Sequence, residues 1–181
     1  MKRPYALDVI SALKLTHFVD FLMEKIPEDT NGHTITTLNT LVDKDNLPKI
    51  CNHYKLLIEN NLNTLKPVTT VVLIDTLNRW NVELKKEILP TLLDHSFYEV
   101  RISAIGHIEN MVLKHKSKEH LKMAEGLIKL SPFQARIRAL EFYDRLPGGK
   151  IRVNLLKSCL EDKNPEVRLI CEKLRSQWLK K

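Results

Sequence analysis

The sequence predicts an all-α protein: a right-handed α-α superhelix of about five helix pairs, forming a single helical-repeat domain over residues 1–181. Three observations carry that prediction. The chain of 181 residues holds only 5 Gly and 8 Pro, too few breakers for a sandwich of short strands joined by tight turns. Its apolar residues recur every three or four positions instead of alternating. A short pattern centred on an arginine returns at Arg101, Arg136 and Arg168, after 35 and then 32 residues, and a helix–turn–helix unit needs about that much chain. The hydrophobic fraction of 43% and the charged fraction of 28% belong to a folded globular chain rather than a disordered one. A chain of this length buries enough surface to need no metal or disulfide staple.

The elements follow in order. Residues 5–26 read as helix broken near Leu15-Thr16, with Leu7, Ile10, Leu13, Phe18, Phe21 and Leu22 on the buried stripe. Pro27 to Gly32 is a loop. Thr34 to Val42, Leu47 to Leu62 and Pro67 to Trp80 are further helices. They have the lengths of two more pairs but no arginine at the repeat position. The first of these pairs is read as a divergent cap, since terminal repeats must shield one end of a stack from water. Trp80, just before Asn81, is placed to plug a joint between helix pairs.

Residues 82–181 read as three antiparallel pairs. Their first helices are Val82 to Asp94 (Leu84, Ile88, Leu89, Leu92, Leu93), Lys118 to Leu130 (Leu121, Ala124, Leu127, Ile128) and Lys150 to Leu160 (Ile151, Leu155, Leu156, Cys159, Leu160). Pro90 is expected to bend the first, and the breaker Pro147-Gly148-Gly149 precedes the third. The second helices open at caps. Ser96 with Glu99 and Ser131 with Gln134 are capping boxes. Pro132 takes the first helical position, where its missing N–H is no loss. In the third copy Asn164 caps and Pro165 follows, one residue closer to the arginine.

Leu89-Pro90-Thr91-Leu92-Leu93-Asp94, followed by Val100-Arg101 and Ala104, resembles the HEAT-type repeat, in which an L-P-x-L-L-x-D helix end leads to a V-R-x-x-A second helix. Leu156 to Asp162 with Val167-Arg168 and Cys171 is similar; the middle copy keeps Ala135-Arg136 and Ala139 but lacks the aspartate. The resemblance covers residues 82–181 and speaks to fold more than to function. It implies that Arg101, Arg136 and Arg168 form a structural ladder, each pairing with the aspartate that ends the preceding helix. Asp94 and Asp162 are placed for two of them. The functional alternative is a ladder that binds phosphates or carboxylates. Asn164-Pro165-Glu166-Val167-Arg168 with Leu174 and Trp178 is similar to the closing helix of the TFIIS-type N-terminal domain. That module docks short motifs of disordered partners in transcription-elongation complexes, and the similarity points toward a nuclear adaptor.

Charge is the main guide to partners. Residues 1–90 hold 11 Lys/Arg against 11 Asp/Glu, while residues 91–181 hold 18 against 11, the whole of the net +7. A basic half invites an anionic partner. Arg138, Arg145, Lys150, Arg152 and Arg175 are the candidate contact residues, with Trp178 either capping the last repeat or exposed for a partner. The dense run Lys114 to Lys118 reads as an inter-helix turn. Aromatic residues, at 6%, are too few for a stacking platform for single strands.

No chemistry-bearing motif appears. His107, His115 and His120 are spaced by eight and five, not as a helical metal pair. There is no Gly-rich phosphate loop and no nucleophile elbow, so no cofactor and no small-molecule substrate is expected. Cys51, Cys159 and Cys171 form no CxxC and are read as reduced thiols of an intracellular chain, the nucleus favoured over the cytoplasm. The N-terminus lacks a signal-peptide core, and the longest aliphatic run, Val71 to Ile74, is too short to span a bilayer. The expected function is a non-enzymatic scaffold binding an acidic protein segment within a larger complex. The alternatives are nucleic-acid binding by the basic half and, more remotely, a HEAT-like DNA glycosylase. The last needs a carboxylate and aromatic rings gathered in one cleft, for which Asp75 and Trp80, diverging on one helix, are the nearest pairing.

Overall fold

The computed structural model describes residues 3–115, 126–127, 133–145 and 156–178. The predicted all-α class holds: these residues form helices and turns, with no strand among them. They fall into two compact units, residues 1–103 and 104–181, so the division lies within a helix.

The first unit contains α1 (Arg3–Ala12), α2 (Val19–Lys25), α3 (His33–Thr40), α4 (Leu47–Asn61), α5 (Pro67–Arg79), the short α6 (Leu89–Leu93) and the first turns of α7 (Tyr98–His115). The predicted break near Leu15-Thr16 is present. Lys14 adopts a left-handed φ of +49°, and a 3-10 turn at Thr16–Phe18 restarts the chain into α2. The restart resets the stripe. Val19, Leu22, Met23 and Ile26 are buried at positions i, i+3, i+4 and i+7. Leu13 and Phe21, expected inside, are instead 64% and 52% exposed, because α1 ends before Leu13 and Phe21 falls off the reset stripe.

Helix α3 packs on α1, α2 and α5. Its start is tied down by Asp29, whose carboxylate accepts the N–H groups of Thr34 (2.7 Å) and Asn31 (3.1 Å), while the Thr69 hydroxyl donates to the Asp29 carbonyl (2.5 Å). Gly32 holds φ +74°, and a Cβ there would meet Val72 Cγ2 at 3.0 Å; both conformation and space demand glycine. Helix α4 packs on α5. Trp80 ends α5 as expected and stacks on Tyr54 of α4, ring centroids 5.7 Å apart at 12°. The fully buried Tyr54 donates its hydroxyl to Asn39 Oδ1 (3.2 Å), and burial pushes its phenol well up. Burial likewise raises the thiol of Cys51.

The segment 82–94 differs from expectation. It is not one helix bent at Pro90 but an extended stretch, a 3-10 turn (Lys86–Ile88) and then α6, with Pro90 in the first turn of α6. Proline restricts the residue before it and is best tolerated at a helix start, so it opens a helix here. The extended stretch is held by Glu59, whose buried carboxylate accepts the Lys85 backbone N–H (2.8 Å) and lies 3.3 Å from the Lys85 ammonium.

The second unit contains the rest of α7, helical residues at 126–127 and 156–160, α8 (Phe133–Arg145) and α9 (Pro165–Trp178), with α8 packed on α9. Cys159 and Cys171 are joined in a disulfide, Cα atoms 5.9 Å apart. This corrects the reading of all three cysteines as reduced thiols. Each sits on the apolar stripe of its helix, both are fully buried, and the turn at 161–164 folds the stripes together within ordinary disulfide reach. Most of the predicted helix 118–130, the Ser131 capping box, the 147–149 breaker and the start of the predicted 150–160 helix lie outside the described residues.

Candidate partner-binding surface

Two of the three ladder arginines, Arg101 and Arg168, serve the backbone. Arg168 Nη1 donates to the carbonyls of Asp162 (2.6 Å) and Lys163 (3.1 Å). Arg101 Nη1 donates to those of His95 (2.5 Å) and Ser96 (3.0 Å). In both, the guanidinium reaches back six and five residues to the turn ahead of its own helix. Those carbonyls lie outside any helical ladder and need a donor. Arg101 therefore does not take Asp94, nor Arg168 the carboxylate of Asp162, which corrects the pairing implied by the resemblance. Asp162 instead takes the arginine of the preceding copy. Arg136 Nε and Nη2 donate to its two oxygens at 2.7 and 2.8 Å, with the side chains only 14% and 9% exposed. Asp162 also accepts the Asn164 backbone N–H (2.8 Å). The Arg136 hydrogen bonds, more than any other cause, hold its carboxyl below the usual carboxylate range.

The same arginine register aligns His95, not Asp94, with Asp162. His95 Nδ1 accepts the backbone N–H of Phe97 (3.1 Å), just as Asp162 accepts that of Asn164. Asn164 caps α9 as expected, its Oδ1 accepting from Glu166 (2.8 Å) and Val167 (3.4 Å). The predicted Ser96–Glu99 capping box does not form among the described residues. Helix α7 starts at Tyr98, and Ser96 serves through its carbonyl.

The expected contact residues divide. Arg138 carries a structural load: its Nε lies 3.2 Å from Glu109 Oε1 and its Nη2 donates to Oε2 at 3.2 Å. The Glu109 side chain is 4% exposed, so Arg138 neutralises a buried charge. Trp178 is half-buried and donates its indole N–H to Asp144 (2.7 Å), closing α9 onto α8. Arg175 is exposed on α9. Arg145 ends α8, but its side chain, like Lys150 and Arg152, lies outside the described residues.

Along 156–178, three exposed cations lie outside the expected set: Lys157, Lys163 and Lys173. With Arg175 they carry no ion pair among the described residues. The signal was available for Lys173, which falls off the Val167, Cys171, Leu174 stripe of α9. Among the described residues no group of His, Cys, Asp or Glu is placed to hold a metal, and no helix is long and apolar enough to cross a membrane. Asp75 is exposed while Trp80 is engaged on Tyr54, so the two do not share a cleft. No family model, curated protein or solved structure matches the chain.

Proposed function

We propose that the chain is a non-enzymatic scaffold or adaptor module, built of HEAT-like helix pairs in a superhelix, that binds an acidic protein segment within a larger nuclear complex. The identical arginine clamps at Arg101 and Arg168 support the repeat reading. One contrast carries the partner reading. Arg136, Arg138 and Arg168 are engaged by the protein itself, whereas Lys157, Lys163, Lys173 and Arg175 face solvent. Exposed Glu161, Glu166 and Glu172 stand among them, so the cations outnumber the carboxylates by four to three, and a surface of net positive charge speeds and selects an oppositely charged partner.

The test is titration of a labelled ten-residue Asp/Glu peptide into the full chain. Lys163→Glu, Lys173→Glu and Arg175→Glu combined should weaken binding by about tenfold or more with little change in melting temperature. Unchanged affinity would overturn the reading. Arg138→Glu, by contrast, should lower the melting temperature, because it leaves Glu109 buried opposite a like charge. A second reading, nucleic-acid binding, rests on the same exposed cations. It predicts steep loss of duplex or single-strand affinity with salt through counterion release, and no binding at low salt would remove it.

A further inference from the structure

In the first unit, the turn at 62–67 and the segment 90–97 enclose an open groove of about 830 Å³. Its apolar lining includes Leu65, Pro67 and Phe97, the last half exposed. Its charged and titratable lining is Lys66, Asp94 and His95. Because His95 Nδ1 accepts from the Phe97 backbone, the neutral ring carries its proton on Nε2. That N–H and the Lys66 ammonium find no partner among the described residues, and Asp94 makes no ion pair there.

The turn before α9 shows what such a position can hold. There the residue equivalent to His95 is Asp162, an acceptor, and the chain supplies a cation, Arg136. At His95 the polarity is reversed: the turn offers a donor, a second donor stands at Lys66, and Asp94, the carboxylate that shares the groove lining, pairs with neither among the described residues.

We propose that this groove docks a partner peptide segment carrying a carboxylate beside an apolar side chain. The carboxylate is held by Lys66 and the His95 Nε2–H, and the apolar side chain lies against Phe97 and Pro67. Asp94 limits the charge the groove accepts, which favours an isolated carboxylate over a continuous acidic run. The site draws on none of the cations of 156–178, so it is tested independently of the surface named above while resting on the same adaptor reading.

The experiment titrates a labelled decapeptide with a single Glu–Leu pair in a Gly-Ser background, with the corresponding Gln–Leu peptide as control, into the full chain. His95→Asp keeps an acceptor for the Phe97 N–H, as Asp162 does in its turn, and so preserves the fold while reversing the polarity. Lys66→Glu reverses the second donor. Each should weaken binding about tenfold or more, and Asp94→Asn should tighten it. The triple variant at Lys163, Lys173 and Arg175 should bind the peptide normally. If only the triple variant loses binding, the groove is wrong and the basic-surface reading survives. Equal binding of the Gln–Leu control, or no binding by the unaltered chain, would also overturn the proposal, while the Asp/Glu peptide separately reports on the basic surface.

Discussion

In the turn before α9 a carboxylate, Asp162, accepts the N–H two residues on, while Arg168 reaches back to the carbonyls of Asp162 and Lys163. In the turn before α7 an imidazole, His95, accepts the corresponding N–H, and Arg101 reaches back to the carbonyls of His95 and Ser96. The backbone device is shared and the side chain at its centre is not. With a carboxylate there, the turn can recruit an arginine from the preceding copy and bury the pair. With an imidazole it recruits no such partner, and a groove opens beside it. The arginine and the i to i+2 cap are the conserved geometry of the device within this chain; the charge at its centre decides whether the turn is closed from inside or left for company.

The largest expected effect comes from breaking the closed turn. Arg136→Met leaves Asp162 buried without its cation and should cost about 3 kcal/mol, since unpairing a buried charge is more harmful than never having it. The same pair sets a pH dependence. Asp162 has its folded-state carboxyl pulled down by Arg136, so its contribution is complete above the ordinary aspartate value of about 3.9 and is lost as pH falls below that, toward the folded-state value. Urea unfolding at pH 7 and at pH 3 should show that loss, and Asp162→Asn should flatten it. A variant as acid-sensitive as the unaltered chain would mean that another carboxylate carries the effect.

How much of this was legible in the sequence depends on how local the cause was. Helices α4 and α5 were placed to within a residue at most ends, because their starts and stops follow from Pro48, Pro67 and unbroken apolar stripes. The Asn164 cap was legible for the same reason. The segment before Pro90 misled: a helical stripe of leucines suggested a helix, but Glu59, far away in sequence, holds the Lys85 backbone extended. The one-residue shift between the copies is visible in the spacing of their caps, but that the guanidinium of Arg101 takes turn carbonyls and not the Asp94 carboxylate shows only once the carbonyls are placed. The Cys159–Cys171 bond lies across a turn between two stripes, a proximity that a search for CxxC does not register. Arg138 looked free because Glu109, its partner, is twenty-nine residues away on another helix.

The next test asks whether the two arginine clamps are equivalent. Arg101→Met and Arg168→Met each remove a charged donor from two turn carbonyls, and each should cost about 1.5–3 kcal/mol. Because the two arginines belong to different compact units, a single transition is a poor measure. Amide exchange read separately at the first turns of α7 and α9 would compare them directly. Loss of protection in only one turn would end the claim that the copies share a device.

The smallest effect is the most discriminating, because it exchanges the one residue in which the turns differ. His95→Ala deletes the acceptor for the Phe97 N–H and should cost about 1 kcal/mol, as for the loss of a helix cap. His95→Asp should recover most of it, because a carboxylate already does this work at Asp162 and a negative charge near the start of α7 interacts favourably with the helix dipole. Chemical denaturation of the three proteins at pH 7 would rank them. If His95→Asp proves no more stable than His95→Ala, the imidazole contributes through its contact with Phe97, ring centroids 5.9 Å apart, rather than as an acceptor, and the correspondence between His95 and Asp162 is one of position without chemistry.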